Sequence, residues 1–287
     1  MRFLLLLLLP FVVLASQISI QVLGSGGPES GERASASYLV KQDGKARVLI
    51  DFGGGAFLRF AQAKAKIEDL ELILLTHLHI DHVAGLPALM KAGYFSERTE
   101  TLNVLGPKGN EYFPGLKEYL QLQFGPKGAY RYMSDILSSE SESFSLLSYE
   151  VGSKKNMLIK SLKVAAIPVN HGIVPTLAYK VELDGKSIVF SGDTTAQSEA
   201  LETLSKDVDI LIAHHAISAE ACPFAKGLHM TPQRIAEVAA LAKPKRLLLS
   251  HRMKRTLGSE RQSETIIRQG YKGKLIWAED LMEITLP

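Results

Sequence analysis

The sequence predicts a mixed α/β domain whose strands end at one polar site. Short apolar runs of strand type recur along the chain, and several end in a histidine or an aspartate. One helix is also well marked, because Thr231 suits an N-cap, Pro232 suits the first helical position, and apolar residues follow at helical spacing. With 287 residues, 46% hydrophobic and 22% charged, the chain can form a large core and has ordinary globular composition.

The first sixteen residues have the form of a secretory signal peptide. Met1-Arg2 is positively charged, residues 3–9 are an unbroken apolar run, and Val13-Leu14-Ala15 offers small residues for cleavage after Ala15 or Ser16. The alternatives are an uncleaved membrane anchor and a first core strand, but a membrane span needs about 20 apolar residues, more than this segment has. We therefore expect a signal peptide at 1–16, one folded domain at 17–287, and no stable membrane span after cleavage.

The mature chain is expected to be nearly neutral. The formal charge is +3, and loss of Arg2 with the signal leaves +2, so net charge requires no polyanionic partner. Cys222 is the only cysteine, which excludes an internal disulfide, and a lone cysteine is more often a small buried residue than a metal ligand. These features favour a soluble exported protein, periplasmic or secreted, without disulfides.

Elements follow one another regularly in the first half of the chain. Strands are predicted at 18–22, 37–41 and 47–51, before a Gly53-Gly54-Gly55 loop and a helix to about Lys66. A strand at 72–76, a short helix at 86–92 and a strand at 102–105 come next. Residues 108–150 are the least regular, and we expect substrate-specific variation there.

Five apolar runs each deliver a candidate ligand at the end of the run or just past it. Because the ends of neighbouring strands are where sites are built, this recurrence indicates one shared site. The five pairs are 72–76 with His77, 164–169 with His171, 187–190 with Asp193, 210–213 with His214 and His215, and 246–249 with His251.

The segment His77-Leu78-His79-Ile80-Asp81-His82 indicates a metal site. It holds three of the eight histidines together with an acid. Residues two apart in extended chain point to the same side, so His77 and His79 can bind one ion together. A turn after them would aim Asp81 and His82 at a nearby point, which leaves room for one ion or, better, two. These donors suit zinc, and also iron or manganese. The alternative is a run of surface histidines beside a turn.

The sequence resembles the metallo-β-lactamase superfamily, whose His-x-His-x-Asp-His motif is followed by a lone His, a Gly-Asp and a final His. The later parts stand here as His171, Gly192-Asp193 and Ser250-His251. The glycine-rich start at 23–28 and His229-Met230-Thr231 are most similar to the branch that holds tRNA 3′-processing endonucleases, phosphodiesterases and arylsulfatase-like hydrolases. The resemblance spans nearly the whole mature chain. It implies a four-layer αββα sandwich with metals between the two sheets at one edge.

The resemblance also implies a role for each site residue. Two Zn²⁺ ions are expected, with Mn²⁺ or iron as the other ions that fit. A hydroxide between the ions would be the nucleophile, oriented by Asp81, and His229 would protonate the leaving group. Asp51 is expected either to orient ligand histidines or to serve the fold alone. The implied ligands are His77, His79 and His171 for one ion, Asp81, His82 and His251 for the other, and Asp193 as the bridge.

Three further sites remain open between a functional and a structural interpretation. His214 and His215 fall where tRNA-processing relatives carry His-Glu-Ala-Thr, and His215 replaces the glutamate, which weakens the transfer of a proton-relay role. His214 is expected either to hydrogen-bond His229 or, as the favoured alternative, to be a strand-end histidine satisfied by backbone. The basic residues at 252–255 could receive an anionic group or form a solvated turn.

These features predict a metal-dependent hydrolase that acts on ester bonds of a small molecule, either a phosphodiester or a sulfate ester. The tRNA-processing relatives carry a long flexible arm between the lone His and the Gly-Asp. Here His171 and Asp193 are only 22 positions apart, and a hairpin around Asp184-Gly185 fills the interval. Export and a nearly balanced charge also argue against nucleic acid as a partner. tRNA maturation is the main alternative function. A homodimer is also possible, because many members of the family are dimers.

Other functions fit the motif less well. β-Lactam hydrolysis is disfavoured because those enzymes lack the aspartate that Asp193 resembles, although a lactonase remains an alternative. Diiron redox relatives carry a glutamate at the second ligand position, where this chain has His79. A purely metal-binding module is disfavoured because every ligand and a suitable acid are present.

Overall fold

A computed structural model of the chain describes residues 16–29 and 31–287. The predicted signal peptide lies outside the described residues, apart from its last position, and stays a prediction. Within those ranges, no helix has the length and apolar character needed to cross a membrane.

Fourteen strands and eight α-helices form the described part of the chain. The strands are β1 (Ile18–Gly24), β2 (Ser37–Gln42), β3 (Lys45–Ile50), β4 (Leu72–Leu74), β5 (Leu102–Pro107), β6 (Leu146–Val151), β7 (Lys155–Ile159), β8 (Leu162–Val169), β9 (Thr176–Leu183), β10 (Lys186–Phe190), β11 (Ile210–His214), β12 (Arg246–Ser250), β13 (Lys274–Trp277) and β14 (Glu283–Thr285). The helices are α1 (Ala56–Gln62), α2 (Ile80–Val83), α3 (Leu86–Gly93), α4 (Leu116–Phe124), α5 (Ala200–Leu204), α6 (Pro223–Lys226), α7 (Pro232–Ala242) and α8 (Glu260–Gly270).

The strands form two seven-stranded mixed sheets. The first sheet has the order β14-β1-β2-β3-β4-β5-β6, and the second has the order β13-β12-β11-β10-β9-β8-β7. Strands β3 to β6 run parallel to one another, as do β10 to β13. Strand β8 also runs in the direction of β10, because each is antiparallel to β9 between them.

The sheets pack face to face because their strands bury alternate residues on opposite sides. In β4, Leu72 and Leu74 point into the core between the sheets, whereas Ile73 joins the core under the helices of the first sheet. In β11, Ile212 lies between the sheets and Leu211 faces the helices of the second sheet. A strand buried on both faces is apolar at every position, which explains why these segments read as continuous apolar runs.

Helices cover the outer face of each sheet and complete four layers. On the first sheet, α1, α3 and α4 contribute the buried residues Phe60, Met90 and Phe124. On the second sheet, α7 and α8 contribute Val238 and Ile267. The predicted αββα sandwich is therefore confirmed.

Most predicted elements occur close to their predicted positions, and the differences are local. The interval 108–150, expected to be irregular, contains α4 and β6, because Leu116, Leu120 and Phe124 form a buried helical face. Thr231 caps α7 as predicted, and its hydroxyl oxygen accepts a hydrogen bond from the Arg234 amide at 3.2 Å.

Candidate metal centre

The carboxyl ends of strands from both sheets meet at one edge of the sandwich. Strand β4 of the first sheet leads to the His77 to His82 segment. In the second sheet β8 leads to His171, β10 to Asp193 and β12 to His251. A hydrogen bond of 2.8 Å from the Leu177 amide to the Thr76 carbonyl joins the two sheets here. Strand β11 ends at His214, which also lies in the cluster, so five strand ends share one site, as the sequence indicates. Seven of the eight histidines lie there.

The side-chain oxygen Oδ2 of Asp193 lies at the centre of the cluster. The Nε2 atoms of His77, His82, His171 and His251 lie 3.8, 3.7, 3.7 and 3.6 Å from it. These separations are too long for hydrogen bonds. They are close to the separation of about 3.4 Å between two ligands of one tetrahedral zinc ion, given metal–nitrogen distances of about 2.0 Å.

All seven residues predicted as ligands lie in this cluster. One group comprises His77, His79 and His171, and a second comprises Asp81, His82 and His251. Within each group the potential ligand atoms lie within 4.8 Å of one another. Asp193 forms further groups of this kind with histidines of both sets. The arrangement therefore offers two neighbouring binding positions with Asp193 between them.

Asp51 orients His82 from outside the cluster. Its Oδ2 accepts a hydrogen bond of 2.7 Å from His82 Nδ1, and its two oxygens accept 2.7 and 2.8 Å bonds from the amide and hydroxyl of Thr76. His82 Nε2 is thereby turned inward as a free donor atom. The Thr76 oxygen also lies 3.1 Å from His77 Nδ1, so the same pair steadies a second ring. The orienting role expected for Asp51 therefore agrees with its contacts.

His214 holds the second oxygen of Asp193, a role that the sequence did not reveal. Its Nδ1 donates to Asp193 Oδ1 at 2.6 Å, and its Nε2 lies 3.3 Å from the buried hydroxyl of Tyr38. The expectation that backbone groups satisfy this ring is wrong, because both of its partners are side chains. The sequence could not indicate the contact with Tyr38, because Tyr38 lies on the other sheet and reaches His214 only when the two sheets pack together.

His215 does not take the place of the relay glutamate. Its ring packs edge-on against Trp277 at 5.1 Å between centroids, and neither ring nitrogen has a hydrogen-bond partner in the described ranges. Burial lowers the pKa of His215 to about 4, so the ring is neutral. Its contact is with Trp277 at the end of β13, outside the ligand cluster.

His229 lies beside the cluster, as predicted. Its Nδ1 is 3.9 Å from Asp193 Oδ2, and its ring centroid is 5.1 Å from that of His171. Burial, which outweighs the opposing charge of Asp193, lowers the pKa of His229 to about 3. The loop before it is tied to the site, because His171 Nδ1 donates to the Leu228 carbonyl at 2.8 Å. His229 is thus held next to two of the predicted metal ligands, and its role as proton donor stays a prediction.

The cluster has the chemistry of a divalent metal site. The buried nitrogens His82 Nε2 and His229 Nδ1, both beside Asp193, lack hydrogen-bond partners in the described part of the protein. His77 Nε2 and His79 Nδ1 also face each other at 3.1 Å. Burial would lower the pKa of His82, but the charge of Asp51 and its hydrogen bond raise it to about 9. By contrast, burial lowers the pKa values of His77 and His79, so these rings are neutral and their nitrogens can serve as metal ligands. Imidazoles together with the carboxylates of Asp81 and Asp193 form a donor set that suits a divalent metal ion.

The match to known proteins identifies the family. The sequence model described as the beta-lactamase superfamily domain matches residues 46–252, which include the whole cluster from Asp51 to His251. The chain belongs to the metallo-β-lactamase superfamily. It is a metal-dependent hydrolase acting on ester bonds, as the sequence predicts.

The relatives agree with this family, and the solved structures agree with its fold. Ribonuclease Z of Methanosarcina mazei is 27% identical over 94% of this chain and 98% of its own length, and ribonuclease Z of Mycobacterium marinum is 27% identical over 93% and 98%. The human short-form tRNase Z structure has a TM-score of 0.72 with 23% identity, covering 94% of this chain and 99% of its own. The metallo-β-lactamase fold protein YhfI of Bacillus subtilis has a TM-score of 0.74 with 16% identity, covering 94% and 99%. The names of the ribonuclease Z relatives conflict with the expectation that nucleic acid is not a partner.

Two arginines of the basic segment after the last predicted ligand make contacts within the protein. Arg252 is 8% exposed, and its guanidinium pairs with Glu279 and Glu260 at 2.5 Å each. Arg255 donates to the Ala216 carbonyl at 2.7 Å. Because Glu260 and Glu279 already pair with the Arg252 guanidinium, the contacts of Arg252 do not support a role in binding an anionic substrate group.

Proposed function

We propose that this metallo-β-lactamase superfamily member is a two-zinc phosphodiesterase that cleaves RNA. One observation supports a site for two metal ions. A single oxygen of Asp193 lies 3.6–3.8 Å from imidazole nitrogens of both ligand groups. Sites with two metals a few ångströms apart are used for in-line displacement at phosphorus. The ribonuclease Z relatives, which match nearly end to end, support RNA as the substrate class.

In this proposal the chain's own residues divide the work around the substrate. When bound, the ions lower the pKa of a water molecule and neutralise phosphate charge. Burial would raise the pKa of Asp81, but a hydrogen bond from His251 lowers it to about 2, so this carboxylate is ionised and can accept a hydrogen bond from the attacking water. His229 lies beside Asp193 and His171, where it can pass a proton to the leaving oxygen after an anionic substrate favours its protonated form.

A second candidate is a small phosphodiester or sulfate ester, as the sequence first suggests. Strands β9 and β10 form a tight hairpin through Asp184 and Gly185, so no arm for gripping a large RNA lies between His171 and Asp193. The proposed export signal fits this candidate better, because an exported enzyme would not meet precursor tRNA. It would still meet RNA fragments, which need no arm.

The test compares ester substrates with the purified zinc-loaded protein. The panel contains a single-stranded oligoribonucleotide, a precursor tRNA with a 3′ trailer, bis(p-nitrophenyl) phosphate and an aryl sulfate, each with wild type, Asp81→Ala and His229→Ala. We expect the oligoribonucleotide to be cleaved with the highest kcat/KM. His229→Ala should slow RNA cleavage by about 10² or more, because the ribose alkoxide needs a proton, and should slow release of p-nitrophenolate by less than about tenfold.

Exposed Lys226 on the neighbouring α6 gives the control, and Lys226→Ala should match wild type on every substrate. Cleavage of the aryl sulfate or p-nitrophenyl ester with no cleavage of either RNA would reject the RNA proposal in favour of the second candidate. Equal losses in His229→Ala on good and poor leaving groups would reject the assignment of the proton donor.

A further inference from the structure

Large apolar side chains are exposed next to the predicted metal ligands, at the start of α2 and on two loops. Ile80 directly follows His79 and is 70% exposed, and Ile173, two residues after His171, is 61% exposed. Tyr112 is 64% exposed, and the ring of the adjacent Phe113 lies 6.1 Å from that of His79. Single exposed apolar residues are ordinary, but here they adjoin two ligands of one group.

The loop that carries Tyr112 and Phe113 is fixed to the turn that carries Ile173. The side-chain oxygen of Asn110 accepts hydrogen bonds from the amides of Tyr112 and Phe113, both at 2.9 Å. Its amide nitrogen donates to the Ile173 carbonyl at 2.8 Å. One side chain therefore closes the 110–113 loop and ties it to the turn after His171. The two loops should therefore lose little conformational entropy when a substrate binds, because their surface is already formed in the free protein.

We infer that these four residues, Ile80, Tyr112, Phe113 and Ile173, form a nucleobase platform that stacks on a base flanking the scissile phosphodiester. The inference rests on the proposed function and specifies how the same site recognises its substrate. The platform contains no cation that would bind a phosphate, and Glu111 beside it would repel one. The flat apolar part of RNA is the base, and stacking on aromatic rings tolerates any base.

The experiment is a double-mutant cycle between the protein and the RNA. An intact oligoribonucleotide is compared with two abasic versions of it. One version lacks the base on the 5′ side of the mapped cleavage point, and the other lacks the base on the 3′ side. Each is assayed with zinc-loaded wild type, Phe113→Ala and Phe113→Tyr. We expect Phe113→Ala to lower kcat/KM about tenfold or more on intact RNA and by less than twofold on one abasic substrate. Phe113→Tyr should restore the rate, because it keeps the ring.

Phe95 provides the matched control, since it is an aromatic residue 82% exposed after the far end of α3. Phe95→Ala should cleave all substrates at the wild-type rate. Metal content of Phe113→Ala should equal that of wild type. If Phe113→Ala slows intact and abasic RNA equally, the platform is rejected while the proposed function stands. If wild type cleaves no RNA, the proposed function itself fails.

Discussion

At the scale of single residues, the site depends on side chains that do not belong to the predicted ligand set. Asp51 adopts a left-handed backbone conformation, with φ of 51°, which Asp and Asn tolerate better than most residues. From there its fully buried carboxylate accepts three hydrogen bonds, two from Thr76 and one from His82. The carboxylate therefore fixes which nitrogen of His82 faces the cluster.

Asp51→Asn tests this orienting role. Asparagine keeps the size and the backbone preference, but its NH₂ group cannot accept a hydrogen bond, so either His82 or Thr76 loses its acceptor. We expect zinc affinity, measured by chelator competition, to fall by about 10- to 100-fold, as for other partners of metal-binding histidines. Asp184→Asn, in the exposed β9–β10 turn, is the control and should retain affinity. Unchanged zinc affinity in Asp51→Asn would show that the residue serves the fold alone.

Some residue roles could be read from the sequence and others could not. The His77 to His82 spacing is local, so it predicts a ligand cluster directly. His214 could not be assigned, because its partners Asp193 and Tyr38 are 21 and 176 positions away in the chain. The only sign in the sequence that His214 belongs to the site is its position at the end of the apolar run that forms β11.

At the scale of elements, the segment that carries the first four predicted ligands is locked onto the loop after β3. The Phe52 amide donates to the His82 carbonyl at 2.7 Å, and the Gly85 amide donates to the Phe52 carbonyl at 2.8 Å. Gly53 allows this approach, because a Cβ atom there would lie 1.9 Å from the Asp81 carbonyl oxygen. The short helix α2 is therefore positioned by its neighbour as much as by its own sequence.

Gly53→Ala should push α2 and its ligands away from the cluster. Because the clash is with backbone, we expect a destabilisation of at least about 2 kcal/mol in urea unfolding, together with weaker zinc binding. Gly54→Ala is the matched control, since its nearest contact would be Ser35 Oγ at an ordinary 3.5 Å, and it should change stability by less than about 1 kcal/mol. Equal stability of the two variants would contradict this packing.

Elements were predictable where their pattern is local. Strand β11 is a short apolar run, β1 alternates apolar with polar residues, and α7 carries its own cap, so both types of element occur as predicted. The helix α4 was missed because its buried residues are spaced among polar ones in a segment bounded by loop residues. The pairing of β14 with β1 joins residues more than 260 positions apart, which no local pattern indicates.

At the scale of the whole molecule, the metal centre joins the two halves of the sandwich. The first sheet supplies the His77 to His82 segment, and the second supplies His171, Asp193 and His251. The family resemblance predicted a site between the two sheets at one edge, whereas the sheet that supplies each ligand, the strand order and the partners of His214 required the folded chain. Asp193 is the point at which both ligand groups meet, so the two-ion account depends on it more than on any other residue.

The number of ions per chain tests this account most directly. Zinc-reconstituted, desalted wild type and Asp193→Ala are measured by elemental analysis against protein concentration, with circular dichroism to show that the variant remains folded. We predict two zinc ions per wild-type chain and no more than one in Asp193→Ala, because the shared oxygen holds both positions together. One ion or none in wild type, or two retained in the folded variant, would contradict the bridged two-metal centre.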